Sequence, residues 1–284
     1  MRRCFELLDA CSVPGSASPN EDHFGFTAEA AWVLDGVTAN DAPDQEVTLD
    51  TDTFVHRMSA SFADELARDP AMTTLDLLNA GVKRCQHDWG RTPSEGPATV
   101  LVMARIIDQH IELTAIGDCS AWYMDKDHTL RRLKDRSVEP YEQRTLDKLV
   151  ELQRHHPDAS VDELKPQLAD VRRKNQERIN TSGGYSVLRL EKVQPHHLVT
   201  RTIPFSPGMS LLLTSDGLDR YVDVLRIGRA DAFFTAALRG PLHHVLQRVR
   251  TAEAGDSACR RFTRTKVSDD ATGVVIRTAS DNVH

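Results

Sequence analysis

The chain has 284 residues, of which 40% are hydrophobic and 27% charged, ample for a buried core and ordinary for a globular enzyme. A formal charge of −7 at pH 7 argues against a general nucleic-acid binder, which carries a basic face, but not against a phosphorylated substrate, because a bound cation inverts the local field. Five scattered cysteines with no C-x-x-C pair argue against zinc ribbons and a disulfide framework, and no stretch approaches the ~18 to 20 apolar residues of a membrane span; together these point to a cytoplasmic protein with no membrane or nucleic-acid partner.

Taken in order, residues 2–9 read as a first strand, and Ser12 to Pro19 as a turn-rich loop. The loop delivers Asn20-Glu21-Asp22, then a strand-like segment from His23 to Thr27, then an apolar strand Ala30 to Leu34 that runs into Asp35-Gly36. That spacing predicts a hairpin with acidic residues at one rim. Phe54, Val55, Met58, Phe62 and Leu66 form one helical stripe, stopped by Pro70; Leu75, Leu78, Val82, Cys85 and Trp89 form a second, capped by Thr73 or Thr74 and stopped by Gly90. Such stripes are core faces rather than cofactor sites.

After the polar stretch Arg91 to Pro97, short β-branched runs predict strands over 98–104, 111–116 and 121–124, with Gly117-Asp118 between the last two. Residues 139–180 read as charged helix, broken near Pro157 and at Pro166. Strands are expected over 197–203 and 210–216, helices over 230–239 and 241–254, and a closing strand over 271–277. This order, with hairpin-length links, favours an α+β layered domain over a doubly wound one.

Usual nucleotide-binding and hydrolase motifs are absent. What stands out instead is oxygen chemistry: Glu21, Asp22, Asp35, Asp118, Asp216, Asp269 and Asp270 each lie within two residues of Gly, Asn or Ser, near strand ends. A carboxylate at the end of a buried strand is costly to desolvate unless a metal or basic partner offsets it. Hard cations such as magnesium and manganese take such ligands, although one Asp-Gly pair alone is usually only a turn. None of the twelve histidines has metal spacing, so surface or cap roles suit them; His23, on a strand next to Asp22, should point away from it.

Glu21-Asp22, Asp35-Gly36, Gly96-Pro-Ala-Thr99, Ile116-Gly-Asp-Cys-Ser120, Glu177-Arg-Ile-Asn-Thr-Ser-Gly-Gly184, Leu213-Thr-Ser-Asp-Gly-Leu218 and Asp269-Asp-Ala-Thr272 occur in that order. The pattern resembles the metal-dependent (type 2C, or PPM) serine/threonine protein phosphatases, in a bacterial-like form with one domain over 1–284. The resemblance implies a central β-sandwich of two antiparallel sheets flanked by helix pairs. It also implies hydrolysis of phosphoserine or phosphothreonine in proteins by a metal-activated water, with two divalent cations, manganese or magnesium. By the same resemblance, Asp35 bridges both ions, the Gly36 carbonyl binds one, and Asp216 and Asp269 bind the second. Glu21 and Asp22 act through water, Asp118 holds a third, looser ion, and Asp270 stands behind the ligands.

Two positions depart from the family pattern. The basic residue that grips phosphate is replaced by Ala17, in a loop from Ser12 to Pro19 without Lys or Arg, and Val37 stands where many relatives have His after Asp-Gly. Arg136 is a candidate substitute. These departures keep two alternatives open: a weakly active or non-catalytic phosphoprotein-binding regulator, and a small-molecule metallophosphatase. The 139–180 segment falls where the family carries a variable flap; its charge fits a solvated helical pair, and a surface for a substrate or regulatory partner is the sharper reading.

Overall fold

The computed structural model describes residues 2–16, 19–37, 51–89 and 96–281. Ala17, Gly90 and the stretch from Arg91 to Glu95, together with the Trp89 side chain, lie outside the described residues.

Two antiparallel sheets stack face to face. One contains β1 (Arg2–Val13), β6 (Ser120–Met124), β7 (Leu130–Lys134), β10 (Ser210–Thr214) and β11 (Ala271–Asp281), in the order β1-β11-β10-β6-β7. The other runs β2 (Asp22–Phe26), β3 (Ala30–Val37), β4 (Ala98–Ile107), β5 (His110–Ile116) and β9 (Val199–Pro204), with the short β8 (Leu188–Arg189) also on β4. Alternation along each strand divides the apolar side chains between two cores. Ala31 and Val33 of β3, Val100 and Val102 of β4, Leu211 and Leu213 of β10 and Val274 and Ile276 of β11 fill the space between the sheets. The intervening residues face helices, so these strands are buried on both sides and read as continuous apolar runs.

On the outside of the second sheet, Trp32, Leu34, Leu101 and Met103 pack against α1 (Thr51–Arg68) and α2 (Thr74–Trp89). The expected stripe residues Phe54, Val55, Met58, Phe62, Leu78, Val82 and Cys85 are all buried there, and Thr73 Oγ1 accepts from the Asp76 amide as the predicted cap. On the outside of the first sheet, Leu212 and Val275 pack against α6 (Asp216–Asp223), α7 (Ala230–Arg239) and α8 (Leu242–Ala254). The result is an α+β fold, helices–sheet–sheet–helices.

The 139–180 segment resolves into α3 (Glu139–His155), α4 (Val161–Leu164) and α5 (Ala169–Gln176), with a 3₁₀ turn over Lys165–Leu168. The break falls at Pro157 as expected, while Pro166 is absorbed at the start of the 3₁₀ turn. The segment is more than a solvated pair: Leu149, Leu152, Leu164 and Leu168 make a small core of their own. Its outer face carries close-spaced ion pairs such as Lys148–Glu151 and Arg173–Glu177.

Four strands in particular differ from the sequence reading. β1 runs on to Val13 and β11 to Asp281, because the two pair antiparallel over nearly their full length. β7 has no counterpart among the expected strands; its Leu-Arg-Arg-Leu-Lys sequence gives too little apolar alternation to read as one. Finally, β10 stops at Thr214, and Asp216 opens α6 after Ser215 at the N-cap instead of ending the strand.

Candidate active site

The antiparallel hairpin of β2 and β3 places Asp22 directly opposite Asp35. One residue on, the Gly36 amide donates to the Glu21 carbonyl at 3.0 Å. The backbones approach so closely that a Cβ on Gly36 would lie 2.7 Å from Glu21 Cβ and 2.6 Å from Thr51 Cγ2; only glycine fits. Thr99, from the neighbouring β4, donates its hydroxyl to the Asp35 carbonyl at 2.8 Å, which gives the Gly-Pro-Ala-Thr motif a structural task.

On the other sheet, β10 and β11 are paired so that the end of one meets the start of the next. Ser215 bonds across this junction: its amide donates to the Thr272 carbonyl at 3.0 Å, and its Oγ accepts from the Thr272 amide at 2.9 Å. The same Oγ donates to Asp22 Oδ2 at 2.7 Å, tying the two sheets together at the site. Gly217 is equally constrained, because a Cβ there would stand 1.9 Å from the Asp270 carbonyl oxygen. Asp270 accepts from the Gly15 and Glu21 amides, both at 2.7 Å, so it ties these two backbone segments to the start of β11.

Asp35, Gly36, Asp118, Asp216 and Asp269 line one cavity of about 240 Å³. Asp118 reaches it through the turn at Gly117, whose φ of 73° is left-handed. Asp22 sits beneath this group, 3% exposed, and its Oδ1 is buried with no hydrogen-bond partner among the described residues. Glu21 borders Gly36 through its backbone. Val37, at the position where many relatives have His, lines the cavity with an apolar side chain.

The electrostatics follow from crowding like charges in a dry place. Burial, reinforced by the Asp216 and Asp270 charges, pushes Asp22 up to about 8 against the hydrogen bond from Ser215. Burial and the charges of Asp269 and Asp118 push Asp216 up to about 7. Asp35 is held well above the ordinary carboxylate range by burial and by Asp22, Asp216 and Asp118; Asp118 is raised by burial, with Lys134 opposing. Asp269 behaves in the opposite way. Burial opposes its ionisation, but Arg220 and Lys266 outweigh it and hold the group below its usual value. Arg220 Nη2 donates to Asp269 Oδ2 at 2.6 Å and Lys266 Nζ to Oδ1 at 2.7 Å. Arg220 is itself anchored by Glu253, which is fully buried, at 2.9 Å.

Among the described residues, no three His, Cys, Asp or Glu side chains converge into a preformed metal cage. The donor set nevertheless fits a hard divalent cation: half-buried, oxygen-only, mutually repelling, and with an orphaned carboxylate oxygen at the buried Asp22 Oδ1. A cation reaching Asp269 must share it with Lys266 and Arg220.

Several contributors escape a reading of the sequence alone. Glu142, on the first turns of α3, is exposed overall yet lines the same cavity as Asp118 and Asp216. Nothing distinguishes it in sequence from its charged neighbours. Lys266 and Arg220 escape it too, since three residues before Asp269 and four after Asp216 carry no motif. Cys119 lies beside the site, but burial and the nearby carboxylates push its thiol well up, so it is no nucleophile. His23 faces away, as expected, with its ring 4.1 Å from that of His56 on α1. Of the paired histidines His197 is buried, where it packs on His196 and caps the turn at Gln194, not on the surface. Arg136 pairs with Glu139 at 3.0 Å and lies outside this cavity.

The model of the family described as protein phosphatase 2C matches residues 15–256; Asp269 and β11 lie beyond that span. Among solved structures the chain is similar to the catalytic domain of the serine/threonine protein phosphatase PstP in complex with two manganese ions, at 16% identity and a TM-score of 0.53, covering 98% of this chain and 100% of that one. It is similar to PppA of Pseudomonas aeruginosa, a regulatory component of T6SS, at 18% identity and a TM-score of 0.55, with 98% and 100% covered. Stp1 of Staphylococcus aureus matches at 16% identity and a TM-score of 0.52, with 96% and 95% covered. No curated protein matches the chain. These structural likenesses speak for the fold, and the family model, spanning most of the sequence, for descent: the chain belongs to the protein phosphatase 2C family.

Proposed function

We propose that this protein hydrolyses phosphoserine and phosphothreonine in proteins, using two divalent cations, manganese or magnesium, at the carboxylate cavity. The observation that carries this reading is the convergence of Asp35, Gly36, Asp118, Asp216 and Asp269 on one small cavity with an unsatisfied Asp22 oxygen beneath it. Asp35, the Gly36 carbonyl, Asp216 and Asp269 hold the ions, Glu21 and Asp22 act through water, and Asp118 serves a third. Bound divalent cations supply a water of lowered pKa and neutralise a phosphoryl group under attack.

The chain's own contribution is positional. Ser215 holds Asp22, Thr99 holds the Asp35 backbone, and the Glu253–Arg220 pair holds Asp269. The cavity opens beside a groove of about 750 Å³ between α3, α5 and α6, which gives a peptide a path to the carboxylates. The groove is bordered by the 139–180 segment, proposed here as a flap inserted in one phosphatase domain and as the surface for a regulatory partner. No helix among the described residues is long and apolar enough to cross a membrane.

A second reading, phosphoprotein binding without efficient turnover, is favoured by one observation. Asp269 already has both oxygens taken by Lys266 and Arg220. Hydrolysis of a phosphothreonine peptide and of a small aryl phosphate, with manganese, magnesium or chelator, separates the readings. Metal-dependent peptide turnover that is lost in Asp216→Asn is the expected result. Turnover of the aryl phosphate alone would point to a small-molecule substrate, and turnover of neither by metal-loaded protein would establish the binding reading.

A further inference from the structure

The loop that should supply a cation for the substrate phosphate has none from Ser12 to Pro19, yet a phosphoryl dianion brought to an acidic cavity needs one. Lys266 is the one lysine or arginine that lines the cavity among the described residues. It also lines the adjoining groove, so its ammonium stands at the junction through which a substrate must pass.

Arg136, Lys165 and Arg172 line the groove but not the carboxylate cavity, and the groove's other cations are committed elsewhere. Arg220 is only 6% exposed and is pinned between Glu253 and Asp269. Arg132 is bound to both Asp219 and Asp223, Lys134 pairs with Asp223, and Arg264 is buried against Asp256. Lys266, by contrast, has 32% of its side chain exposed, and a single carboxylate oxygen, Asp269 Oδ1, holds it at 2.7 Å. An ammonium has three donors on a flexible four-carbon stem. One can stay on Asp269 while another reaches an anion above the carboxylates, a division of labour that the pinned Arg220 fork does not allow.

We propose that Lys266 is the phosphate-gripping residue of this site, in place of the basic residue missing from the N-terminal loop. Its ligand is the phosphoryl dianion of a phosphomonoester, and inorganic phosphate after hydrolysis. The proposal rests on the phosphatase reading for its substrate. In the absence of phosphate, the same ammonium occupies Asp269 and competes with a metal ion for it.

The test compares wild type, Lys266→Ala and Lys266→Arg, each loaded with manganese and checked for an unchanged melting profile. Calorimetry gives the affinities for inorganic phosphate and for manganese, and a phosphothreonine peptide gives KM and kcat. Lys266→Ala is expected to weaken phosphate about tenfold or more and to raise KM by a similar factor, with a smaller change in kcat. Lys266→Arg should recover phosphate affinity to within about threefold, because the charge returns, and manganese should bind Lys266→Ala as tightly as wild type or more so. Unchanged phosphate affinity in Lys266→Ala would overturn the proposal. So would manganese affinity that falls in step with phosphate, since Lys266 would then be orienting Asp269. Should wild type turn over no peptide while Lys266→Ala still loses phosphate, the phosphatase reading fails and Lys266 stands. Peptide turnover with phosphate affinity indifferent to Lys266 would instead keep the phosphatase and remove Lys266 from its phosphate contact.

Discussion

The acidic site has two halves of opposite character. On the hairpin side, Asp22 and Asp35 face each other across β2 and β3 with no cation in contact among the described residues, and burial drives both toward the protonated form. On the β10–β11 side, Asp269 is clasped by Lys266 and Arg220 and stays ionised. The same residue type at the same end of the same sandwich thus sits in opposite electrostatic states. The cause is the partner set: an uncompensated buried carboxylate destabilises the fold, whereas one with two cations is part of a network whose other members depend on it. The hairpin half needs an added cation, as does Asp216, whereas Asp269 has its own.

Removing one carboxylate from each half tests that contrast most severely. Asp35→Asn is expected to lower manganese affinity and turnover by more than about 100-fold, beyond what loss of an outer partner causes. It should nevertheless raise the melting temperature of the metal-free protein, because it relieves repulsion. A metal-free protein that melts lower would break the comparison. Asp269→Asn should act in reverse on stability. Leaving Arg220 and Lys266 without their shared partner should cost about 3 kcal/mol in the metal-free protein, read from denaturant midpoints; an unchanged midpoint would mean that the clasp contributes nothing.

A smaller effect reports on the uncompensated carboxylates of both halves without mutation. Burial and neighbouring carboxylates push Asp22 up to about 8 and Asp216 up to about 7, above the ordinary carboxylate value near 4 in the unfolded chain. Between about 4 and 8 the folded state therefore binds more protons than the unfolded one, and metal-free stability should fall as pH rises through that window. Manganese relieves the repulsion, so it should raise the melting temperature more at pH 8 than at pH 6. A manganese effect independent of pH would refute the assignment of these groups to the ion site. Smallest of all, Ala17→Arg restores the cation that the family pattern places in the N-terminal loop. If Lys266 already supplies the phosphate contact, KM should fall by less than about threefold; a larger fall would show that the grip was missing.

Much of this was legible in the chain itself. The stripes from Phe54 to Leu66 and from Leu75 to Cys85, the apolar strands ending near Asp35 and Asp216, and the glycines after those aspartates all follow from local periodicity and local backbone need. So does the break of the charged segment at Pro157. Elements whose identity depends on a distant neighbour were not legible. β7 is a strand because β6 offers it an edge, and β1 and β11 extend because each satisfies the other's backbone groups. The site divides along the same line. Which carboxylates stand at strand ends was written locally, in Asp-Gly and Ser-Asp-Gly. Only the tertiary structure decided that Glu142 would join them from α3, that Ser215 would link Asp22 to β11, and that Lys266 and Arg220 would neutralise Asp269 while Asp35 has no cation in contact among the described residues. Charge balance in a buried site is set by distance and dielectric between residues far apart in sequence, and a chain read residue by residue contains neither.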